Sequence, residues 1–179
     1  MSEERIQFGG CSFVPPEGFV VQQNASLQKA ALSNSEQCCD GTNGSICITL
    51  ISTAVHPDVP DYSDSPDDMT PDAYPPTLTL TTFPGQRSVS PLAHLRNTEK
   101  VLKDHLQRYQ IDFLESETVG GSLTAARSQS SFVTNFRIFR LNYGWAVNGV
   151  LFTSTMTVTE SGVEKGWTDL RRFVDSVRF

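Results

Sequence analysis

The sequence is poor in positive charge and has no long apolar run. Its 14 lysine and arginine residues face 20 acidic residues, which gives a net charge of −6 and a pI near 5.0. Such a chain is not drawn to nucleic acid or anionic lipid by charge alone. No stretch approaches the roughly 20 apolar residues of a membrane-spanning helix. We therefore expect a soluble protein that binds no nucleic acid and inserts into no membrane. The acidic start "MSEERIQFGG" lacks the features of a secretory signal and predicts a cytoplasmic location.

Lysine and arginine are missing altogether from residues 31–86, which hold eight acidic residues. Within that region, residues 56–76 contain six prolines and six aspartates. Proline removes backbone donors and fixes φ, and neighbouring aspartates repel one another, so neither a helix nor an interior strand is expected. We predict an acidic surface loop at 56–76, inserted in a single domain that spans 1–179.

Three aspartates of this loop are the candidate metal ligands. Asp64, Asp67 and Asp68 could gather a hard cation through carboxylate oxygens. Their spacing differs from the alternate-position pattern of a calcium loop, which favours a solvated loop. The cysteines are weaker candidates, because two are adjacent and the two-residue spacer of zinc sites is missing. We expect all four to be structural or incidental, with a disulfide and a metal or redox role left open: Cys11, Cys38, Cys39 and Cys47.

Histidine, the commonest acid–base catalyst, occurs only three times. His94 and His105 lie on one predicted helix about 16 Å apart along its axis, so they cannot share a metal or a proton. Both fall away from the leucines of that helix and are predicted to be exposed. No nucleophile elbow, phosphate loop or zinc-binding His-Glu motif occurs. We therefore predict a protein that is not an enzyme and carries no cofactor.

Periodicity predicts two amphipathic helices. The first begins after Ser90, a good N-cap, with Pro91 at the first helical position. Its apolar stripe is formed by Leu92, Leu95, Leu102, Leu106 and Tyr109. The second begins at a capping box of Ser161 and Glu164. Its stripe is formed by Val163, Trp167, Leu170, Val174 and Val177. Each stripe is expected to pack on a sheet.

The remaining regular stretches are rich in β-formers. Strands are predicted at "SICITL" and "TLTLTT", which would pair across the acidic loop, and a weaker strand at 25–34. Four β-rich runs then predict an antiparallel meander: 111–119, 122–133, 136–144 and 146–158. The predicted class is α+β, with an antiparallel sheet of about six strands and two main helices.

The meander also supplies the candidate partner-binding residues. Trp145 falls at a predicted turn beside Tyr143, where an exposed aromatic ring can anchor a partner. Phe136 and Ile138 alternate with Arg137 along the preceding run, which places them on one face of the sheet. An uncovered face or edge of such a sheet gives a physical route to binding another chain.

Three stretches resemble the PsbP-like superfamily and its DcrB-like bacterial branch. "FGGCSFVPPEGF" looks like the family's opening strand and Pro-Gly corner, and "FLESETVGGSLTAARSQSSF" resembles the strand, turn and strand that follow its first helix. "GWTDLRRFVDSVRF" is similar to its closing helix. The resemblance implies a PsbP-like sandwich. It also implies protein binding, since members include photosystem accessory subunits, nuclear-transport adaptors and chaperones of type VI secretion effectors.

From this resemblance we expect a cytoplasmic adaptor or chaperone. Its most specific form is a small bacterial chaperone, acting as a homodimer, that shields an apolar segment of a secreted effector. The alternative is an accessory subunit of a larger assembly that binds a cation through the acidic loop. The stretch that would grip an apolar client, "VVQQNASLQ", is mostly polar, so the resemblance assigns no client-binding residue.

Overall fold

The structure is a computed structural model that describes residues 5–21, 46–53, 70–84, 89–119 and 123–179. Three predictions lie outside these residues: the weak strand at 25–34, the state of Cys38 and Cys39, and most of the acidic loop. Of that loop the structure describes 70–76, where Pro71–Ala73 forms a single 3-10 turn.

Nine strands and two helices make up the described part of the chain. The strands are Ile6–Phe8 (β1), Cys11–Phe13 (β2), Phe19–Val21 (β3), Ile46–Ser52 (β4), Thr77–Pro84 (β5), Gln110–Val119 (β6), Leu123–Val133 (β7), Arg137–Val147 (β8) and Val150–Thr159 (β9). The helices are Pro91–His105 (α1) and Val163–Ser176 (α2). Seven strands form one antiparallel sheet in the order β3-β4-β5-β9-β8-β7-β6. The predicted α+β class is confirmed, with seven strands in the sheet where about six were expected.

The predicted pairing across the acidic loop is also observed. β4 and β5 are antiparallel neighbours, with Leu50 opposite Leu78 and Ile48 opposite Leu80. The meander from β6 to β9 is present as well, but one of its predicted breaks is wrong. Gly144 and Trp145 lie inside β8, and the turn instead falls at Asn148 and Gly149, whose φ values of 51° and 77° suit a two-residue hairpin.

Helix α1 begins as predicted, because the Ser90 side chain accepts a hydrogen bond from the Ala93 amide and Pro91 follows the cap. The helix lies over β6, β7 and β8. It approaches β8 closely at Gly144, where an added Cβ would come 3.4 Å from Leu95 Cγ. An added Cβ would thus make ordinary van der Waals contact with the helix, and Gly144 marks neither a turn nor a position where only glycine fits.

Helix α2 lies on β8 and β9, against the opposite face of the sheet. Its buried side chains include Leu170, Phe173 and Val174, which join Leu141, Tyr143 and Trp145 of β8 in one core. Because successive strand residues point to opposite faces, these odd-numbered residues and Gly144 meet different helices. The predicted capping box is wrong. The N-cap is Gly162, with no side-chain cap, since Ser161 belongs to a preceding 3-10 turn.

The β1–β2 hairpin extends the core on the α2 side. Phe13 is fully buried, with its ring 5.0 Å from that of Phe173 in an edge-on contact. Backbone hydrogen bonds between Ser12 and Arg178 tie the hairpin to the residues after α2. Cys11 is a buried free thiol in this region and Cys47 a free thiol in β4.

β6 forms one outer strand of the sheet. Its pairing with β7 is interrupted between Ile111 and Phe113, which is the position of a β-bulge. Its outward residues include Asp112 and Glu115, both exposed. Within the described ranges, no helix combines the length and apolar character needed to cross a membrane.

Candidate functional site

The structure buries three of the four residues predicted to bind a partner. Ile138, Tyr143 and Trp145 are 2%, 2% and 1% exposed, and Trp145 stacks on Phe152 with ring centroids 5.8 Å apart. The expectation of an exposed Trp145 is therefore corrected, because this residue lies within β8 and faces α2. Phe136 is half-buried, with its ring 5.7 Å from that of Tyr74. Partner binding itself remains a prediction.

The structure does not describe the candidate metal ligands. Asp64, Asp67 and Asp68 lie outside the described residues, within which no group of three potential ligands can hold a metal. His105 is exposed as predicted, but His94 is buried and its ring centroid lies 4.7 Å from that of Phe83. Burial lowers the pKa of His94 to about 4, so it is neutral at physiological pH.

A buried carboxylate that the sequence did not reveal occupies the interface between α1 and the sheet. Glu99 is 1% exposed and accepts hydrogen bonds from Tyr109 Oη, from Ser128 Oγ at 2.7 Å and from Asn142 Nδ2 at 3.2 Å. We call these groups the Glu99 cluster, together with Ser130 and Thr155, which hydrogen-bond to its members. Burial of a carboxylate is costly unless donors surround it, and here three do.

The Glu99 cluster is internally connected. Asn142 Nδ2 also donates to Ser128 Oγ at 3.0 Å, and Thr155 Oγ1 donates to Asn142 Oδ1 at 2.8 Å. A hydrogen bond of 2.8 Å joins Tyr109 Oη to Ser130 Oγ. The cluster thus runs from α1 across β7 and β8 to β9 on one face of the sheet. We call this the polar face, and the face under α2 the apolar face.

Arg140 continues the polar face just beyond the cluster. In the register of the sheet it lies between Ser130 of β7 and Thr157 of β9. Its Nη1 is buried and has no hydrogen-bond partner among the residues that the structure describes. None of the ion pairs found among those residues includes it. A buried guanidinium N–H without a partner is uncommon, since each such donor normally finds one.

Two tyrosines flank Arg140 in similar ways. Tyr109, which follows α1, hydrogen-bonds to Ser130, whereas Tyr74, which follows the 3-10 turn, hydrogen-bonds to Thr157 at 3.2 Å. Burial raises the pKa of both tyrosines, and the positive charge of Arg140 partly opposes the rise in each. Both hydroxyls are therefore protonated at neutral pH. The arginine and the tyrosines Tyr74 and Tyr109, all half-buried, form what we call the Arg140 site.

Next to the Arg140 site the polar face is lined by hydroxyl groups. Residues of β4, β5 and β9 that face the same way as Arg140 are mostly threonines, and they remain half-buried where α1 does not lie over them. We call them the threonine strip: Thr49, Thr77, Thr79, Thr155 and Thr157. Neighbouring members hydrogen-bond to each other, as Thr49 Oγ1 and Thr79 Oγ1 do at 3.1 Å. The strip is therefore ordered but has no charge of its own.

A second charged cluster borders the apolar face. Arg127 contacts Glu115 at 2.6 Å and Glu117 at 3.2 Å, and Glu117 also pairs with Arg171 of α2. Trp167 donates to Gln129 at 2.8 Å. These ion pairs and hydrogen bonds join α2 to the sheet. The Arg140 site differs in that no such ion pair reaches Arg140 from the described residues.

No protein-family model and no curated protein matches the sequence. Solved structures do match. PsbP (CyanoP) of Synechocystis sp. PCC 6803 aligns with a TM-score of 0.56 and 9% identity over 98% of this chain and 91% of that one. LpqN of Mycobacterium tuberculosis, involved in cell envelope biogenesis, aligns with a TM-score of 0.54 and 14% identity over 93% of this chain and 81% of that one. PA94 of Pseudomonas aeruginosa, a protein of unknown function, aligns with a TM-score of 0.51 and 7% identity over 86% of this chain and 94% of that one.

At such low identity the likeness shows the fold alone. The chain therefore has the PsbP-like α+β fold that its motifs predicted. The narrower resemblance to the DcrB-like branch and to secretion chaperones remains a prediction.

Proposed function

We propose that the chain is a non-catalytic accessory protein that binds another protein through the Arg140 site and the threonine strip. One observation carries the proposal: Arg140 Nη1 has no hydrogen-bond partner among the described residues, and the strand neighbours of Arg140 hold the neutral hydroxyls of Tyr109 and Tyr74. These groups recognise a ligand by charge and hydrogen bonding. Neither tyrosine is a base at neutral pH, because burial raises the pKa of both.

The polarity of the surface supports a polar rather than an apolar contact. Among the described residues, the exposed large apolar side chains are Val20, Ile111 and Phe179, which lie on β3, on β6 and at the end of the chain. Separate apolar residues of this kind do not form a patch that could shield an apolar segment. The accessory role thus has better support than its more specific form, a chaperone for an apolar stretch of a secreted effector.

The neighbouring structures support the proposal by analogy of fold. LpqN is involved in cell envelope biogenesis, and an accessory role for the present chain would be of a similar kind. The alternative of a cation-binding subunit depends on residues 56–69 and draws no support from the Arg140 site, which carries positive charge.

A photo-crosslinking amino acid at position 79, at the centre of the threonine strip, tests the proposal. Expressed in the native host, the protein should crosslink to one partner, which is then purified for binding measurements. Thr79→Arg adds a long charged side chain to the strip and should weaken binding about tenfold or more, as expected for disruption of an interface centre. Thr168→Arg is the matched control, because Thr168 is exposed on α2 at the opposite face.

Circular dichroism and thermal unfolding must first show that both variants are folded. Equal affinity of Thr79→Arg and Thr168→Arg for the partner would contradict the proposal. So would a crosslinker that captures the partner from position 168 and not from position 79. The crosslinking variant is a separate protein whose folding is checked in the same way, so it gives a result even if Thr79→Arg does not fold.

A further inference from the structure

We propose that the Arg140 site binds a carboxylate group presented by the protein partner. The inference rests on the proposed function and adds to it the chemical class that the site recognises. It comes from the juxtaposition of Arg140, Tyr74 and Tyr109 on one face of the sheet, with Ser130 and Thr157 fixing the two tyrosines.

The donors at the site are suited to an oxyanion. A guanidinium offers N–H groups in a planar fork, which matches the two oxygens of a carboxylate. Nη1 of Arg140 has no hydrogen-bond partner among the described residues, but the side chain as a whole is only half-buried. An acceptor that reaches the guanidinium from its exposed side would therefore compensate for a donor that is otherwise lost. Each tyrosine hydroxyl has one hydrogen, which Tyr109 donates to Glu99 and Tyr74 donates to Thr157, so the donors left for a ligand are those of Arg140.

The net charge of the site favours a ligand that carries a single negative charge. Arg140 supplies one positive charge, and the carboxylate of Glu99 lies on the other side of Tyr109, whose hydroxyl both charges influence. The chain as a whole carries −6. A dianion such as a phosphate monoester would meet one cation and a nearby buried anion, whereas a carboxylate needs only the one cation.

Glu99 does not take the place of this ligand. Its two oxygens already accept hydrogen bonds from Tyr109, Ser128 and Asn142, and it forms no ion pair with Arg140. The register of β8 sets Asn142 under Glu99 and moves Arg140 one pleat further along the same face. The sheet thus keeps the buried anion and the free cation apart.

The test is a titration of the full chain followed by NMR, with the side-chain Nε–Hε signal of Arg140 and the backbone amides of β8 and β9 as probes. N-acetylglycine represents a chain terminus, and the α-amide of N-acetylaspartate represents an acidic side chain. N-acetylglycinamide is the neutral control, and inorganic phosphate tests the charge argument. We expect saturable shifts around Arg140 with at least one of the carboxylates, and none with the amide. Phosphate should bind more weakly than the better carboxylate.

Two substitutions make the test specific. Arg140→Gln should weaken carboxylate binding about tenfold or more, as loss of a charge-assisted bidentate contact implies. Arg137→Gln removes the same charge from the same strand, but Arg137 is exposed and hydrogen-bonds to Ser131 on the apolar side, so binding should be unchanged. The stronger of the two carboxylate probes identifies the source of the group.

Lack of saturable shifts, an equal effect of the two substitutions, or tighter binding of phosphate would overturn the inference. Its failure is distinguishable from failure of the proposed function. If no carboxylate binds but Thr79→Arg still releases the partner, the docking surface stands without this ligand class. If carboxylates bind at Arg140 but Thr79→Arg leaves the partner bound, the site exists and the proposed docking surface is wrong.

Discussion

The two faces of the sheet each pack against one helix, but one face does so through apolar side chains and the other through hydrogen bonds. The apolar face packs on α2 through apolar side chains from both, among them Leu141 and Trp145 of the sheet and Phe173 of the helix. The polar face contacts α1 through side chains that donate hydrogen bonds to the buried carboxylate of the helix, Glu99. Apolar burial is non-directional, whereas a buried polar network is stable only if every member is satisfied. The difference teaches that one sheet can be packed by apolar contacts on one face and by a hydrogen-bonded network on the other, and the proposed recognition site lies on the second.

The largest expected effect is on the apolar face. Phe173→Ala should lower the free energy of unfolding by about 4 kcal/mol, because the ring is buried and its loss leaves a cavity beside Phe13. Urea unfolding followed by circular dichroism measures this. Ile111→Ala, at an exposed position of β6, should change the same quantity by less than about 1 kcal/mol. Similar losses for both would mean that the apolar face is not the main source of stability.

A second substitution asks whether the polar face is held by its network. Glu99→Ala leaves the hydroxyls of Tyr109 and Ser128 and the amide of Asn142 without their shared acceptor, which should cost about 3 kcal/mol. Glu99→Gln keeps the shape and one acceptor oxygen, so it should cost less. Unfolding free energies that are the same for the wild type and Glu99→Ala would show that the network is dispensable.

The buried His94 of α1 should also make the stability of the fold depend on pH. Burial lowers the folded-state pKa of His94 to about 4, below the unfolded value of about 6.5, so between these values the unfolded chain binds the extra proton. The contribution of neutral His94 to the free energy of unfolding is complete above its pKa in the unfolded chain. It falls as the pH drops toward its pKa in the folded chain. We expect a loss of about 2 kcal/mol between pH 7 and pH 5 from this residue.

Denaturation at the two pH values, repeated with His94→Leu, measures that loss by difference. His105→Leu is the control, since His105 is exposed on the same helix. A pH dependence that survives in His94→Leu would assign it to other groups.

The smallest expected change in the free energy of unfolding comes from replacing two fully buried serines, one on each face. Ser128 on the polar face donates to Glu99 and accepts from Asn142, whereas Ser154 Oγ on the apolar face has no partner among the described residues. Ser128→Ala should cost about 1.5 kcal/mol and Ser154→Ala close to nothing, because only the first removes satisfied hydrogen bonds. Chemical denaturation of the pair checks this, and a larger loss for Ser154→Ala would contradict the assignment of the faces.

Most of the fold could be predicted because it follows from local signals. Ser90 and Pro91 fix the start of α1, and the β-branched runs around the acidic loop pair as expected. The break predicted at Gly144 was wrong because a single glycine does not end a strand whose neighbours on both sides continue the pairing, as they do in β8. The Asn148-Gly149 pair that does form the turn has the stronger hairpin signal.

The polar face could be predicted less well, because its members come together only in the folded chain. One signal was present. The leucine stripe of α1 has a gap between Leu95 and Leu102, and Glu99 fills it at helical spacing. A charge within an apolar stripe indicates a buried group that needs donors. The serines, Asn142 and Arg140 that meet it lie on neighbouring strands whose register the sequence does not specify.

The outer strand β6 has a consequence for how molecules of this chain behave at high concentration. Its bulge near Asp112 interrupts the regular row of backbone groups that a second strand would need, and the exposed charge of Glu115 opposes the approach of a like-charged copy. Edge-to-edge stacking into fibrils is therefore disfavoured on this side. Self-association, where it occurs, is expected to use a surface other than the β6 edge.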